Sequence, residues 1–354
     1  MSLHQSLWRL TSFLNRPRDR AACVTDNIAM RFFRFVVFAI GWAVAIVAVA
    51  WAFGALYFDF PRIGALAAIL FVVILLAAII FVRGQLLKLA IVLGASAVVA
   101  GWWLTLKPSN DRPWQPDVAQ TAWTEINGDE VTVHNVRNCD YRTDTDFTPH
   151  WETRTVRLSQ ITGMDVAINY WGSPWIAHPI VSFQFADALP VCFSIETRKT
   201  IGQQYSTLEG FYRQYTLIYI VADERDVIRL RTNYRREDVY LYHTLASPAQ
   251  ARQRLREYIN TVNVLHENPR WYNAVTSNCT TSIRTQRAVK LRAPWDWRIL
   301  LNGKADEMLY QDHAIATGGL SFTELKQRSL IDARARAADD DPNFSHLIRE
   351  GLPK

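Results

Sequence analysis

The stretch HPIVSFQFADALPVCFSIETR, residues 178–198, holds two runs of β-branched and aromatic residues joined by the short segment ADALP. Runs of this kind, separated by turn residues, are typical of paired β-strands. If the two strands pair, Ser194 or Glu196 comes beside His178, which opens the first run. Pro179 limits ladder pairing at that end and keeps it near a sheet edge. The stretch therefore predicts a hairpin that sets a histidine beside a polar partner.

The same strand pattern continues on both sides of this hairpin. Further strands are predicted at 130–136, 151–158, 215–222 and 226–234. Helices follow the strands. Ser247-Pro248 is typical of a helix start, and apolar residues recur at helical spacing up to about residue 266. Two more helices are predicted, one from 277–278 to 289 and one over 297–313. Strands first and helices last predict an α+β domain built on one antiparallel sheet.

Three apolar runs precede this domain, at 35–53, 63–82 and 87–106. Each reaches or nearly reaches the roughly 20 residues needed to cross a hydrocarbon core. Six arginines precede the first run (Arg9, Arg16, Arg18, Arg20, Arg31 and Arg34), whereas only Arg62 lies between the first and the second. Positive charge favours the cytoplasmic side. The pattern predicts a multi-pass protein of the inner membrane with its C-terminal domain in the periplasm.

These features divide the chain into five parts. They are a basic cytoplasmic N-terminus (1–34), a three-helix transmembrane anchor (35–106), a linker (107–120), a periplasmic domain (121–326) and a C-terminal tail (327–354). The net charge of +6 does not indicate nucleic acid, because much of the basic excess sits where a membrane protein carries it. No H-E-x-x-H, C-x-x-C or glycine-rich phosphate loop occurs, so no metal and no cofactor is predicted.

The segment WYNAVTSNCTTSIR, residues 271–284, holds one of three cysteines on the predicted periplasmic side. Cys139 and Cys192 could pair there, which would leave Cys279 as a free thiol. A cap by Asn278 or Ser277 would put Cys279 in the first turn of a helix. That position favours the thiolate and lowers a cysteine pKa. The residues themselves leave three roles open for Cys279: nucleophile, disulfide partner or small buried side chain.

Arginines and aromatic residues crowd the same region. Arg198 and Arg231 lie on predicted strands near His178 and could grip a phosphate or a carboxylate, or could belong to ordinary ion pairs. Five aromatic residues could line an acyl groove, fill the core or lie at a bilayer surface: Trp171, Trp175, Phe211, Tyr212 and Trp271.

Four segments together resemble the Lnb N-terminal periplasmic domain family: AHPIVSFQF, FSIETRK, VADERDVIRLR and YNAVTSNCTT. The resemblance covers roughly residues 135–310. It implies a fold related to circularly permuted papain-like and NlpC-type enzymes, in which an antiparallel sheet packs on a cysteine-bearing helix. By position, Cys279 resembles the nucleophile, His178 the general base and Glu196 the orienting residue. Asn278 resembles the asparagine of other Asn-Cys pairs and is a candidate, with Arg198 and Arg231, for substrate binding.

The resemblance implies an acyltransferase that works through a cysteine thioester on membrane lipids and lipoproteins. The anchor departs from the expected architecture, because membrane helices follow the periplasmic domain in proteins of that kind. Two alternatives stay open. One is a cell-wall peptidase or amidase with water as the acceptor, and the other is a non-catalytic module that binds an envelope partner.

Overall fold

The computed structural model describes residues 20–292 and 294–354, with side chains described from residue 30 onward. Most of the predicted basic N-terminus, including Arg9, Arg16 and Arg18, lies outside the described residues. The chain forms two compact units, Met1–Leu106 and Lys107–Lys354.

From residue 20 onward, where the structure describes it, the first unit forms three helices, α1 (Arg20–Asp59), α2 (Gly64–Phe81) and α3 (Gln85–Thr105). All three are long enough and apolar enough to cross a membrane, and most of their apolar side chains are exposed. The number and position of the predicted spans are therefore confirmed. Gly64 permits the tight turn between α1 and α2, because a Cβ there would lie 2.4 Å from the carbonyl oxygen of Tyr57.

The described residues of the second unit form ten strands, which make up an eight-stranded sheet and a separate two-stranded ribbon. They are β1 (Trp123–Asn127), β2 (Glu130–Arg137), β3 (Asp140–Tyr141), β4 (Phe147–Thr148), β5 (Trp151–Arg157), β6 (Ile161–Tyr170), β7 (Ala177–Phe185), β8 (Val191–Arg198), β9 (Thr216–Ala222) and β10 (Asp238–His243). The large sheet has the order β1-β2-β9-β8-β7-β6-β10, with β5 on β2, and β3 pairs with β4.

The predicted purely antiparallel sheet is wrong at one position. Strands β2 and β9 pair in parallel, through Arg137 and Ala222, so the sheet is mixed. A buried ion pair holds the end of β2 there, because the Arg137 guanidinium is 2.7 Å from Asp226, just after β9. All other pairs in the sheet are antiparallel, including the predicted β7–β8 hairpin.

In the described part of this unit, seven helices surround the sheet: α4 (Glu224–Arg229), α5 (Pro248–Glu267), α6 (Cys279–Thr285), α7 (Ala305–Gln311), α8 (Phe322–Ser329), α9 (Asp332–Ala338) and α10 (Phe344–Leu347). Helix α5 begins as predicted, with Ser247 as its cap and Pro248 in its first turn. Helix α6 ends sooner than predicted, and α7 is preceded by short 3-10 turns where a helix over 297–313 was predicted.

The alternation along the strands gives the sheet two buried faces. On the α5 face, Val181, Phe183 and Phe193 pack with Tyr258 of α5. On the α9 face, alternate residues of the same strands pack with α4, α9 and α10, for example Ile180 and Cys192. Both faces are covered, so the near-continuous apolar strands carry two separate cores.

The segment 226–234 is not the strand predicted from its β-branched residues. It forms α4 and a following π-helical turn, Leu230–Tyr234. Asp223 caps α4 by accepting a hydrogen bond from the N–H of Arg225. The helical backbone turns Asp226 towards Arg137 and Arg231 towards Glu237. These long-range ion pairs override local strand propensity.

Residues 327–354 were predicted to be a C-terminal tail outside the periplasmic domain. They belong instead to the core of the second unit. Ile331, Phe344 and Ile348 are fully buried on the α9 face. Arg349 is salt-bridged to Glu224 of α4 and to Asp165 of β6. The C-terminal segment therefore closes one face of the sheet.

Candidate functional site

Cys279 is the first residue of α6, and Asn278 is its cap. The Asn278 side-chain oxygen accepts a hydrogen bond from the N–H of Thr281 at 2.9 Å, and the Thr281 hydroxyl accepts one from the N–H of Asn278 at 2.9 Å. The Asn278 amide nitrogen donates to the carbonyl oxygen of Ala274 at 2.8 Å. The predicted cap is confirmed. Because both ends of the Asn278 side chain are engaged locally, its contribution lies in shaping the start of the helix.

All three cysteines of the second unit are free thiols. The possible Cys139–Cys192 disulfide is therefore not formed. Both of these side chains are buried, whereas Cys279 is partly exposed. Burial raises the pKa of Cys139 to about 11 and also raises that of Cys192. Cys279 is consequently the most accessible of these three thiols.

Asn302 holds the Cys279 thiol. Its side-chain nitrogen donates a hydrogen bond to Sγ of Cys279 at 3.3 Å, and its oxygen accepts one from the N–H of Ala177 at 2.9 Å. Asn302 is 7% exposed. The next residue fixes its position, because the Gly303 N–H donates to the Trp175 carbonyl oxygen at 2.9 Å. Asn302 was not singled out from the sequence; its only signal was the Asn-Gly turn LNGK.

The predicted lowering of the Cys279 pKa is wrong. Burial raises the pKa of the thiol above its ordinary value. Hydrogen bonds from the Thr280 hydroxyl and N–H, and from Asn302, act in the opposite direction but do not outweigh burial. The resting side chain is therefore a neutral thiol surrounded by donors that would stabilise a thiolate once it forms.

His178 belongs to a buried polar chain on the α9 face. Its Nε2 lies 2.7 Å from the Ser194 hydroxyl, which donates to Glu196 at 2.8 Å. Arg231 donates to the same Glu196 oxygen at 3.1 Å and also to Glu237. The expectation that Ser194 comes beside His178 is confirmed, and Arg231 is near as predicted.

The direction of these hydrogen bonds defines the histidine tautomer. Because the Ser194 proton goes to Glu196, Nε2 of His178 must donate to the Ser194 oxygen. Nδ1 is then the proton acceptor, and it has no hydrogen-bond partner among the described residues. Glu196 reaches the ring through Ser194.

Charge states in this chain follow from burial and from the arginines. Burial, and after it Arg231, lowers the pKa of His178 to about 3. Burial alone would raise the pKa of Glu196, but Arg231 and Arg137 outweigh it and hold that pKa below its usual range. At neutral pH the imidazole is neutral and the carboxylate is ionised.

The structure does not bring Cys279 and His178 into contact. Cys279 packs against the core of the α5 face, whereas His178, two residues before Ile180, points to the α9 face. No hydrogen bond joins them in the described part of the chain. Both residues nevertheless lie near the same end of the sheet. The pairing of β7 with β8 ends at Ile180 and Ser194. Just beyond that point, Asn302, which holds the thiol, accepts a hydrogen bond from Ala177 of β7.

Arg198 has a different environment from Arg231. Its guanidinium donates to the carbonyl oxygens of Val118 and Ala119 and to the side chain of Asn110. It also stacks on Trp114 at 4.3 Å. Arg198 therefore fastens residues 110–119, which were predicted to be a linker, onto the sheet. These contacts occupy the guanidinium that was predicted to grip a substrate.

A cavity of about 640 Å³ opens on the α5 face, beside the thiol helix. Thr280, the residue after Cys279, lies in its wall together with Ile283 of the same helix. Most of the wall is apolar, and its side chains include Met164, Val166, Ile168, Val181, Leu245, Tyr258, Trp295, Met308 and Leu309. None of the five aromatic residues suggested for an acyl groove borders this cavity. Two other aromatic residues, Tyr258 and Trp295, lie in its wall.

Residues 147–303 match the family model described as the Lnb N-terminal periplasmic domain. This stretch belongs to that family. The matched part of the Lnb domain runs from β4 to Gly303, so it contains His178, Ser194, Glu196, Arg231, Cys279 and Asn302. It ends before α7 and the C-terminal helices. Comparison with the curated proteins and with the solved structures gave no match.

The family match and the three apolar helices together fit a membrane protein with a periplasmic domain. The resemblance found from the sequence is confirmed at the level of the family. The resemblance was predicted over roughly residues 135–310. The match to the family model, residues 147–303, lies within that range.

Proposed function

We propose that this protein is a thiol acyltransferase or hydrolase of the periplasmic side of the inner membrane, with Cys279 as the nucleophile. One observation carries the proposal: the partly exposed thiol, held by Asn302, begins the helix whose Thr280 and Ile283 line a largely apolar cavity of about 640 Å³. A volume of this order is typical of small-molecule and cofactor sites. A fatty acyl chain suits its wall, because the wall is mainly aliphatic and aromatic.

In the proposed reaction Nδ1 of His178 takes the Cys279 proton, and the sulfur attacks the acyl carbonyl carbon. The bond from that carbon to its leaving group breaks, and the leaving group takes the proton from the imidazolium. The products of this step are an acyl-thioester and the protonated leaving group. An acceptor amine or water then attacks the thioester and gives up a proton to Nδ1 of His178. The carbon–sulfur bond breaks, and the Cys279 sulfur leaves with the proton returned by the imidazolium.

The polar chain behind His178 suits this role. Burial keeps the resting imidazole neutral, with Nδ1 unprotonated, but it also makes the ring a weak base. The pKa of His178 must therefore rise when β7 moves, before Nδ1 can take the thiol proton. Glu196, ionised and linked through Ser194, would stabilise the imidazolium that forms. The reaction requires the end of β7 to move, because the resting thiol and imidazole are not in contact. The exposed segment before β7, with Trp175 and Ile176, is where that movement would occur.

For the acceptor, we propose the α-amino group of a lipoprotein's N-terminal cysteine, as the family resemblance implies. The chain order supports the thiol mechanism rather than this choice of acceptor, because the histidine strand precedes the cysteine helix, as in circularly permuted papain-like enzymes. A cell-wall amidase would use the same thioester with water as the acceptor.

A non-catalytic binding module is the second candidate. It is favoured by the separation of Cys279 and His178 on different faces of the sheet. In that case the cavity would hold a lipid or a peptide without breaking a bond. The hydrogen-bonded side chains behind His178 would then contribute only to the stability of the fold.

Intact-mass spectrometry of the full chain, incubated with phospholipid, separates these candidates. We expect a mass increase of one acyl chain that hydroxylamine removes and that is absent from Cys279→Ala. Cys23→Ser is the matched control, and it should acylate normally. An adduct that persists in Cys279→Ala would overturn the assignment. A wild-type protein with a free, alkylatable Cys279 and no adduct would favour the binding module.

A further inference from the structure

The chain between α6 and α7 exposes a group of large apolar side chains. Val289 is 74% exposed and Trp295 is 60% exposed. The group, called the apolar rim below, consists of Val289, Leu291, Trp295, Trp297, Leu300 and Leu301. Single exposed apolar residues are normal on a protein surface, but six within thirteen positions are not. Such a concentration indicates a binding surface.

A second exposed apolar segment lies next to the rim. Gly303 packs so closely on the backbone of 174–176 that a Cβ there would lie 2.3 Å from the carbonyl carbon of Trp175. Trp175 and Ile176, each about half exposed, are therefore held beside the rim's last residues, Leu300 and Leu301. The two exposed apolar segments therefore adjoin each other at residue 303.

Positive charge surrounds this surface. Residues 284–304 contain six Lys or Arg and a single acidic residue, Asp296, which pairs with Arg298 at 2.8 Å. Three other acidic groups approach from neighbouring elements: Glu257 at 3.6 Å from Arg287, Glu307 at 3.6 Å from Lys304, and Asp312, whose charge acts on Arg298. The exposed Lys290 forms no ion pair with any described residue.

Two of the cations lie over exposed indole rings. Arg284 is 5.7 Å from the ring centre of Trp295, and Lys304 is 5.6 Å from that of Trp175. Tryptophan beside Lys or Arg is the combination enriched at the boundary between lipid chains and headgroups. The cations would meet phosphate while the indoles enter the interface.

We propose that the apolar rim, with Trp175 and Ile176, docks on the surface of an anionic phospholipid bilayer. The charge of 284–304 is complementary to that surface, and the three candidate spans tether the domain to a bilayer. Trp295, Arg284 and Arg287 also border the cavity on the α5 face. Docking therefore turns the mouth of the cavity towards lipid. The proposal does not depend on thiol chemistry.

The test is spin labelling of the full chain in lipid nanodiscs. A Cys23→Ser, Cys279→Ser background leaves the buried Cys139 and Cys192, and a label is attached at Trp297→Cys. Ile126→Cys is the matched control, since Ile126 is 48% exposed on β1 at the edge of the sheet. Relaxation of each label by oxygen, which dissolves in lipid, is compared with relaxation by an aqueous nickel chelate.

In nanodiscs of phosphatidylglycerol, the label at 297 should respond to oxygen more than to nickel, and the label at 126 should do the reverse. In phosphatidylcholine alone, or at high salt, the response at 297 should move towards that at 126. A label at 297 that stays aqueous in both lipids overturns the proposal. Protection from both reagents overturns it in favour of a protein partner, and dipolar broadening would identify that partner as a second copy of the chain.

Discussion

The side chain of Asn302 joins Cys279 to the residue before His178. It donates to the thiol at 3.3 Å and accepts from the N–H of Ala177 at 2.9 Å. The two halves of the candidate site lie on different faces of the sheet, yet this one amide links them at its end. Residue 302 therefore contacts both the thiol and the histidine strand.

Asn302→Asp should make the Cys279 thiol less acidic. The carboxylate can still accept from the N–H of Ala177, but it has lost the donor to Sγ and adds a negative charge beside it. Loss of this hydrogen bond and the added negative charge should both raise the pKa of the thiol. The pH dependence of alkylation of the full chain measures this change.

Asn273→Asp is the control for this substitution. Asn273 lies in the turn before α6, and its side-chain oxygen accepts from the N–H groups of Val275 and Thr276. Its alkylation profile should match that of the wild type. If Asn302→Asp also reacts like the wild type, Asn302 does not donate to the thiol in solution.

His178 should make the domain less stable in mild acid. Its pKa in the folded chain is about 3, against an ordinary 6.5. Between these two pH values the unfolded chain binds the extra proton, so the free energy of unfolding falls as the pH is lowered from 6.5. From pH 6.5 to 5 the loss is about 2 kcal/mol from this one group.

Thermal unfolding of the full chain in detergent, at several pH values between neutrality and about 5, measures this dependence. His178→Gln removes the titrating group, so its melting temperature should fall less over the same range. Equal slopes in the two proteins would mean that His178 is not held neutral by burial.

The sequence predicted those features that depend on local pattern. The three spans, the β7–β8 hairpin, the α5 start and the Asn278 cap follow from periodicity and capping chemistry, and each occurs in the structure. The predicted hairpin left Ser194 and Glu196 as alternatives beside His178. Ser194, which pairs with Ile180 two residues along β7, is the one in contact with the ring.

Other features depend on contacts between distant parts of the chain. Segment 226–234 looks like a strand, but Asp226 and Arg231 find partners at Arg137 and Glu237 only in helical form. Whether Cys279 and His178 share a face depends on which side of the sheet α6 packs, and strand alternation contains no information about that. Burial, which raises the thiol pKa, is also a property of the folded domain.

Arg231→Met should destabilise the domain strongly. Arg231 is buried between Glu196 and Glu237, and its removal leaves two buried carboxylates without their shared cation. Breaking a buried pair in this way costs about 3–5 kcal/mol. Arg236→Met, at an exposed neighbouring position, should change stability by only about 0.5 kcal/mol. Thermal unfolding compares the two, and similar melting temperatures would contradict the ion-pair assignment.

Gly303→Ala should disturb the candidate site without touching its reactive groups. A Cβ at 303 would lie 2.3 Å from the Trp175 carbonyl carbon and 2.4 Å from the Pro174 oxygen, so 174–176 must move away. Such overpacking costs about 1–3 kcal/mol and would shift Asn302 relative to Cys279. We expect lower thermal stability together with altered alkylation of the thiol.

The matched control for Gly303→Ala is Gly163→Ala, because a Cβ at residue 163 meets nothing within 4 Å. That variant should retain both the wild-type melting temperature and the wild-type alkylation rate. If Gly303→Ala lowers stability but leaves thiol reactivity unchanged, the turn supports the fold without positioning Asn302. If it changes neither, segment 174–176 does not pack against residue 303 in solution, and the link between the thiol and the histidine strand is looser than the structure has it.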